Sequence, residues 1–170
     1  MDIRLSAVAM PAAAGVLMRP WLPEDVPDLV EIGGDTAIRR WTSAAFDDAG
    51  AAARWVDEQR QGWVAGTRFA FAVLSERGEV LGHVVLKGVG GEPEVGYWVV
   101  ERARGCGVAS RVLAAVTRWG FETFEPVRIR LRHQADNTAS CRVAERCGYL
   151  RVDHPLAEHL HVAVRSAAGV

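Results

Sequence analysis

The stretch Tyr97-Trp98-Val99-Val100-Glu101-Arg102-Ala103-Arg104-Gly105-Cys106-Gly107-Val108-Ala109 restricts the fold more than any other. An apolar strand runs into a turn of small residues, and the turn opens a helix. That helix carries an apolar face of Val108, Val112, Val116 and Trp119. A strand feeding a helix through so short a connection points to α/β layering. The turn also has a chemical consequence. Gly105 and Gly107 let successive backbone N–H groups converge on an anion. The unpaired N–H groups of the helix's first turn and its dipole favour the same charge. Arg102 and Arg104 add positive charge beside it. The stretch fits neither GxxxxGK[ST] nor GxGxxG, so it is not a P-loop or a dinucleotide fingerprint.

The flanking sequence supplies the rest of an α/β (α+β) domain over residues 15–170. Residues 1–14 form an Ala-rich extension or an extra strand. Gly15 to Arg19 reads as a first strand, and Pro23-Glu24-Asp25 as a helix start. Gly33-Gly34 stops that helix. A second helix follows Asp47-Asp48 and ends near Gly62. Phe69 to Leu74, Val80 to Lys87 and Glu94 to Val100 read as strands, the first two joined by a hairpin at Gly78. Val127 to Arg132 alternates, with Val127, Ile129 and Leu131 on one side and three arginines on the other. Asp136-Asn137 caps a short helix over 138–146 that Gly148 ends, and Leu160 to Val164 is a last strand.

Charge and cysteine content narrow the function classes. A net charge of −1 over 170 residues gives no global attraction to nucleic acid or a membrane surface, and neither is expected as a partner. The basic cluster Arg102, Arg104, Arg111, Arg128, Arg130 and Arg132 would be the only footing for nucleic acid. Three cysteines without zinc-type spacing read as free thiols in a reducing cytoplasm. Residues 7–18 lack the basic start of a secretion signal. His159 and His161 share a strand face, but two histidines without a third ligand do not make a metal site, so no metal is expected.

Two blocks together resemble the GNAT superfamily of N-acetyltransferases, in its RimJ/RimL-type branch. Arg104-Gly105-Cys106-Gly107-Val108-Ala109 fits the R/Q-x-x-G-x-G/A signature. Asp136-Asn137-Thr138-Ala139-Ser140-Cys141-Arg142-Val143-Ala144-Glu145-Arg146-Cys147-Gly148-Tyr149 looks like the branch's DNxxSxxVAExxGF/Y stretch. The run from Arg19 to Asp25 is a weaker third match. The resemblance implies a mixed, mostly antiparallel sheet of six to seven strands, flanked by about four helices. Its fourth and fifth strands would splay into a V that receives the pantetheine of acetyl-CoA. Trp98, Val99 and Val100 would contact the pantetheine, Val99 and Val100 through their backbone groups. Arg104, Gly105, Cys106, Gly107, Val108, Ala109 and Ser110 would hold the diphosphate. Asn137 and Ser140 would approach the thioester.

The same resemblance implies acetyl transfer to a primary amine. A protein or peptide N-terminus is the first acceptor reading, and a small amine such as an amino acid or antibiotic is the alternative. Glu94 is the base candidate, acting through water, with His133 behind it. Many family members protonate the leaving thiolate with a Tyr. Here the only tyrosines are Tyr97 and Tyr149, and Tyr149 sits at a position that packs in the core; the resemblance offers Ser140 as the better donor, matching a Ser that this branch can place near the sulfur. The departure from that Tyr keeps a non-catalytic acyl-CoA-binding module open. Trp41 and Phe46 fall where the family's acceptor entrance lies, and family members often form homodimers.

Overall fold

The computed structural model describes residues 10–13, 15–43, 46–152 and 158–165. They form an eight-stranded sheet in the order β1-β2-β3-β4-β5-β6-β8-β7. The strands are β1 (Met10–Ala13), β2 (Val16–Pro20), β3 (Arg68–Ser75), β4 (Val80–Lys87), β5 (Glu94–Val99), β6 (Arg128–Gln134), β7 (Leu150–Val152) and β8 (Glu158–Val164). The helices are α1 (Val26–Ile32), α2 (Thr36–Trp41), α3 (Ala49–Ala65), α4 (Val108–Phe124) and α5 (Thr138–Arg146). Of the two readings of residues 1–14, β1 matches the extra strand, while the three-residue β7 was not expected. The unforeseen helix is α2, too short to show an amphipathic period.

All pairings are antiparallel except β5 with β6, which α4 joins as a crossover. That pairing covers only Glu94↔Arg130 and Val95↔Leu131. Past it the two strands part, so the V implied by the resemblance lies between residues 96–99 and 132–134.

The helix α4 buries Val108, Val112, Leu113 and Val116 on the sheet. Each such side chain contributes roughly 1.5–3 kcal/mol when fully buried. Gly120 costs the helix about 1 kcal/mol of propensity. It is needed because a Cβ there would lie 2.8 Å from Leu86 Cδ2 and 3.1 Å from Ile129 Cδ1. The Arg19-to-Asp25 motif is structural. Asp25 accepts from Arg19 at 2.6 and 2.7 Å and from the Leu22 N–H at 2.9 Å.

Against another part of the sheet lies an aromatic cluster of Trp21, Phe46, Trp55, His83 and Trp98. His83 Nδ1 accepts from Trp21 Nε1 at 3.0 Å. Burial, with Arg68 nearby, pushes the His83 pKa down to about 3, so the ring is a neutral core member. Phe46, expected at the acceptor entrance, belongs to this cluster. It is 2% exposed and edge-on to Trp55, so it offers no ligand surface. Trp63 is also core. Its Nε1 donates to the Ala70 carbonyl, beyond the last β2–β3 pair at Pro20↔Phe71.

Candidate active site

A cleft of about 330 Å³ opens where β5 and β6 part. Its walls are Tyr97, Trp98 and Val99 of β5, the turn from Arg104 into α4, and Asn137, Ser140 and Val143 of α5. Ile38 and Trp41 of α2 close one side. The volume lies at the small end of the range for small-molecule sites.

The turn has the expected backbone. Gly105 and Gly107 sit at φ 75° and 77°, a left-handed conformation that other residues adopt only at a cost. Gly107 is the N-cap of α4, and no side chain caps that helix. Val108, Ala109 and Ser110, whose N–H groups have no partner within the helix, line the cleft. Cys106 is exposed, does not line the cleft and turns its Sγ toward the Arg104 carbonyl.

The arginines of the turn do something other than expected. Arg104 donates Nε to the Val99 carbonyl at 3.0 Å and pairs through its NH2 group with Asp35. Burial opposes ionisation of Asp35. Arg104 and the N–H groups of Ile38 and Ala37 outweigh it and hold the carboxyl below its ordinary value. Asp35 thus caps α2 and anchors the turn at once. Arg102 donates to the Val80 carbonyl at 2.7 Å. Arg104 still lines the cleft, joined there by Arg142 and Arg146, four apart on one face of α5. The basic stripe of β6 is also paired. Arg128 and Arg130 meet Glu92, and Arg132 meets Glu94.

The expected backbone contacts divide. Val100 is 3% exposed and its N–H donates to Leu81 O at 3.0 Å, so it cannot also serve a ligand. By antiparallel alternation, the main-chain groups of Tyr97 and Val99 then turn away from β4 toward the gap. The Val99 carbonyl is used by Arg104, which leaves the Val99 N–H facing the cleft. Trp98 lines the cleft, while its ring packs in the aromatic cluster.

On the opposite wall, Asn137 Oδ1 accepts from the Ser140 N–H at 3.1 Å and caps α5. Facing Ser140 is a residue to which the sequence reading gave no role, Tyr97. Its hydroxyl is buried and completes no hydrogen bond among the described residues. Burial pushes its pKa up to about 12, with the nearby Ser140 side chain acting in the opposite sense. The strand alternation that places Tyr97 beside Val95 and Val99 was the available signal for it. Tyr149, by contrast, is 2% exposed and shares its hydroxyl with Thr117 Oγ1 at 2.6 Å.

Glu94 lies outside the cleft. Its carboxylate accepts from Arg132 at 2.7 Å and from Lys87 at 3.0 Å, as a strut joining β4, β5 and β6. His133 is likewise not part of the cleft wall.

The sequence profile of the Acetyltransferase (GNAT) domain matches residues 16–150. No protein of curated function matches the sequence. Among solved structures, a *Salmonella typhimurium* acetyl transferase that modifies the N-terminal serine of a 50S ribosomal subunit protein superposes with a TM-score of 0.79 at 15% identity, over 94% of this chain and 100% of that one. *Mycobacterium smegmatis* RimJ, in complex with CoA-disulfide, gives 0.75 at 21% identity, over 88% and 81%. The microcin self-immunity acetyltransferase MccE, in complex with acetyl-CoA and AMP, gives 0.82 at 11% identity, over 95% and 98%. At these identities the likeness is one of fold.

Proposed function

The chain belongs to the GNAT acetyltransferase family, an enzyme family of acyl transfer, and from that premise we propose that it acetylates the α-amine of a protein or peptide N-terminus with acetyl-CoA. One observation carries the reading: the uncapped start of α4 and the Tyr97–Ser140 pair line the same cleft. The N–H groups at Val108, Ala109 and Ser110 would take the diphosphate, assisted by Arg142 and Arg146. The Val99 N–H would bond the pantetheine arm or the thioester oxygen. The amine nitrogen would then attack the carbonyl carbon, forming the C–N bond and breaking C–S. Ser140 would pass a proton to the departing thiolate and recover one from water, and the amine would lose its own to that same solvent.

An α-amine titrates near 7.7–8.0, against about 10.4 for lysine, so roughly a tenth of it is already deprotonated at pH 7, a few hundredfold more than for lysine. Such an acceptor needs little help from a base. That suits a site whose nearest strand carboxylate, Glu94, is held by two cations. We therefore assign Glu94 no proton transfer. Trp41, on the rim and under the guanidinium of Arg40 at 4.4 Å, is the aromatic surface left for the acceptor.

The test is a side-by-side assay of released CoA thiol with acetyl-CoA and panels of N-terminal peptides and small amines. Turnover of free-N-terminus peptides, and none of N-terminally blocked ones, supports the reading. Turnover of small amines alone would replace the acceptor. Acetyl-CoA binding without turnover of either panel would leave only a binding module.

A further inference from the structure

On the far side of α5 from the cleft, three elements bring four metal-ligating side chains together. The β6–β8 register sets His133 opposite His159 and places His161 one step along, opposite Leu131. Strand alternation puts all three imidazoles on the sheet face that α5 covers, and Cys141 of α5 completes the group. Cys141 Sγ lies 3.4 Å from His159 Nδ1 and 3.5 Å from His161 Nε2. The rings of His133 and His161 stack with centroids 5.1 Å apart. One ligand atom from each of the four residues falls within 4.8 Å of the others. None of the four lines the cleft.

We propose that His133, Cys141, His159 and His161 bind a divalent ion of the zinc class, tying the first turn of α5 to β6 and β8. Tetrahedral zinc with imidazole and thiolate ligands holds its donor atoms about 3.3–3.8 Å apart. The two Cys–His distances already fall in that range, and the remaining ligands need to close by only about 1 Å. The donor set of one soft thiol and three imidazoles selects zinc or cobalt over magnesium or calcium.

The hydrogen bonding favours coordination at two of the histidines. His133 Nδ1 is 2.7 Å from the Gln134 carbonyl and must carry the proton there. Its Nε2 then keeps a lone pair, and that nitrogen is buried with no partner among the described residues. Such a bond on the far nitrogen commonly orients a metal-binding histidine. His161 also has one ring nitrogen engaged only by the Cys141 sulfur, and the other is buried without a partner. His159 differs. Arg151 donates to its Nε2 at 2.8 Å, which places the proton on Nδ1, toward Cys141. It becomes the fourth ligand when the exposed Arg151 side chain turns away and Nε2 takes that proton. The Cys141 thiol loses its proton to solvent as the ion binds.

The experiment is titration of the chelator-treated full chain with cobalt(II) and zinc(II) chloride, followed by absorption. The expected result is one ion per chain, with the intense visible bands of tetrahedral cobalt and a thiolate-to-cobalt charge-transfer band. Cys141→Ser should abolish the charge-transfer band. It should also weaken zinc by more than the roughly tenfold to hundredfold lost when only a ligand's hydrogen-bond partner is removed. Cys106→Ser and Cys147→Ser should keep the spectrum. Arg151→Ala should tighten binding by releasing His159, a gain that misfolding cannot mimic. If Cys141→Ser does not fold, His133→Gln at the more exposed end replaces it. An absence of stoichiometric binding, or a cobalt spectrum unchanged by loss of Cys141 or His133, overturns the proposal.

Discussion

Two helices begin at the cleft, and their first turns are built in opposite ways. At the start of α4 the N-cap is Gly107, with no side chain to satisfy the orphan N–H groups. At the start of α5 the N-cap is Asn137, whose Oδ1 takes the Ser140 N–H. With Gly at the N-cap, the α4 start forgoes only a few tenths of a kcal/mol relative to a capping side chain. The α4 start keeps its N–H groups available for an anion. The α5 start has settled its backbone and so presents the Ser140 side chain in a defined place. One helix end is shaped to bind and the other to orient.

The largest expected effect tests the uncapped end. Gly107→Glu places a carboxylate and a disfavoured φ of 77° in the turn. Acetyl-CoA affinity, measured by calorimetry on protein shown to be folded, should fall more than about a hundredfold, or about 2.7 kcal/mol. Unchanged affinity would mean that the uncapped start is not where the diphosphate sits.

The next effect belongs to the capped end. Ser140→Ala should lower kcat by about 10²-fold, the low end for loss of a positioned proton donor, while acetyl-CoA affinity stays nearly constant. A matching loss of affinity would turn Ser140 from a donor into a binding contact. The pH–rate profile sharpens this. With its pKa pushed up to about 12, the Tyr97 hydroxyl stays protonated well past the ordinary tyrosine value, so kcat should show no alkaline fall near pH 10 from this group. A tyrosine-like limb there that disappears in Tyr97→Phe would show the hydroxyl titrating freely.

A smaller effect separates capping from binding. Asn137→Ala should cost about 1 kcal/mol in urea unfolding. A loss of acetyl-CoA affinity without that loss of stability would make Asn137 a ligand contact rather than a cap. The smallest effect is Glu94→Gln, which should leave kcat nearly unchanged because the carboxylate is engaged by Lys87 and Arg132 outside the cleft. A large rate loss, with a shifted pH profile, would restore it as the base.

The comparison also separates what could be read in one dimension from what could not. Gly105 and Gly107 announced the left-handed turn before α4, and Asn137 announced the α5 cap, because φ preference and side-chain capping act over two or three residues. The V was accessible only through the family resemblance, since strand divergence depends on how far β5 and β6 stay in register. Arg104 seemed a ligand cation in the linear reading. Its partner Asp35 lies 69 residues away and turns it into a brace for the turn. Phe46 was placed at the acceptor entrance by its position in the chain, yet packing against Trp55 and Trp98 buries it. Tyr97 was visible as a residue but not as a buried hydroxyl across from Ser140.

The sequence by itself therefore determined the strand–turn–helix order, the uncapped and capped helix starts and the family, because each rests on interactions between near neighbours. The tertiary structure alone decided which charges are available and which are paired. It also decided which aromatic residues face a ligand, and that three histidines and a cysteine from separate segments meet. Those outcomes depend on contacts between residues far apart in the chain, which form only when the sheet register and the helix docking are set.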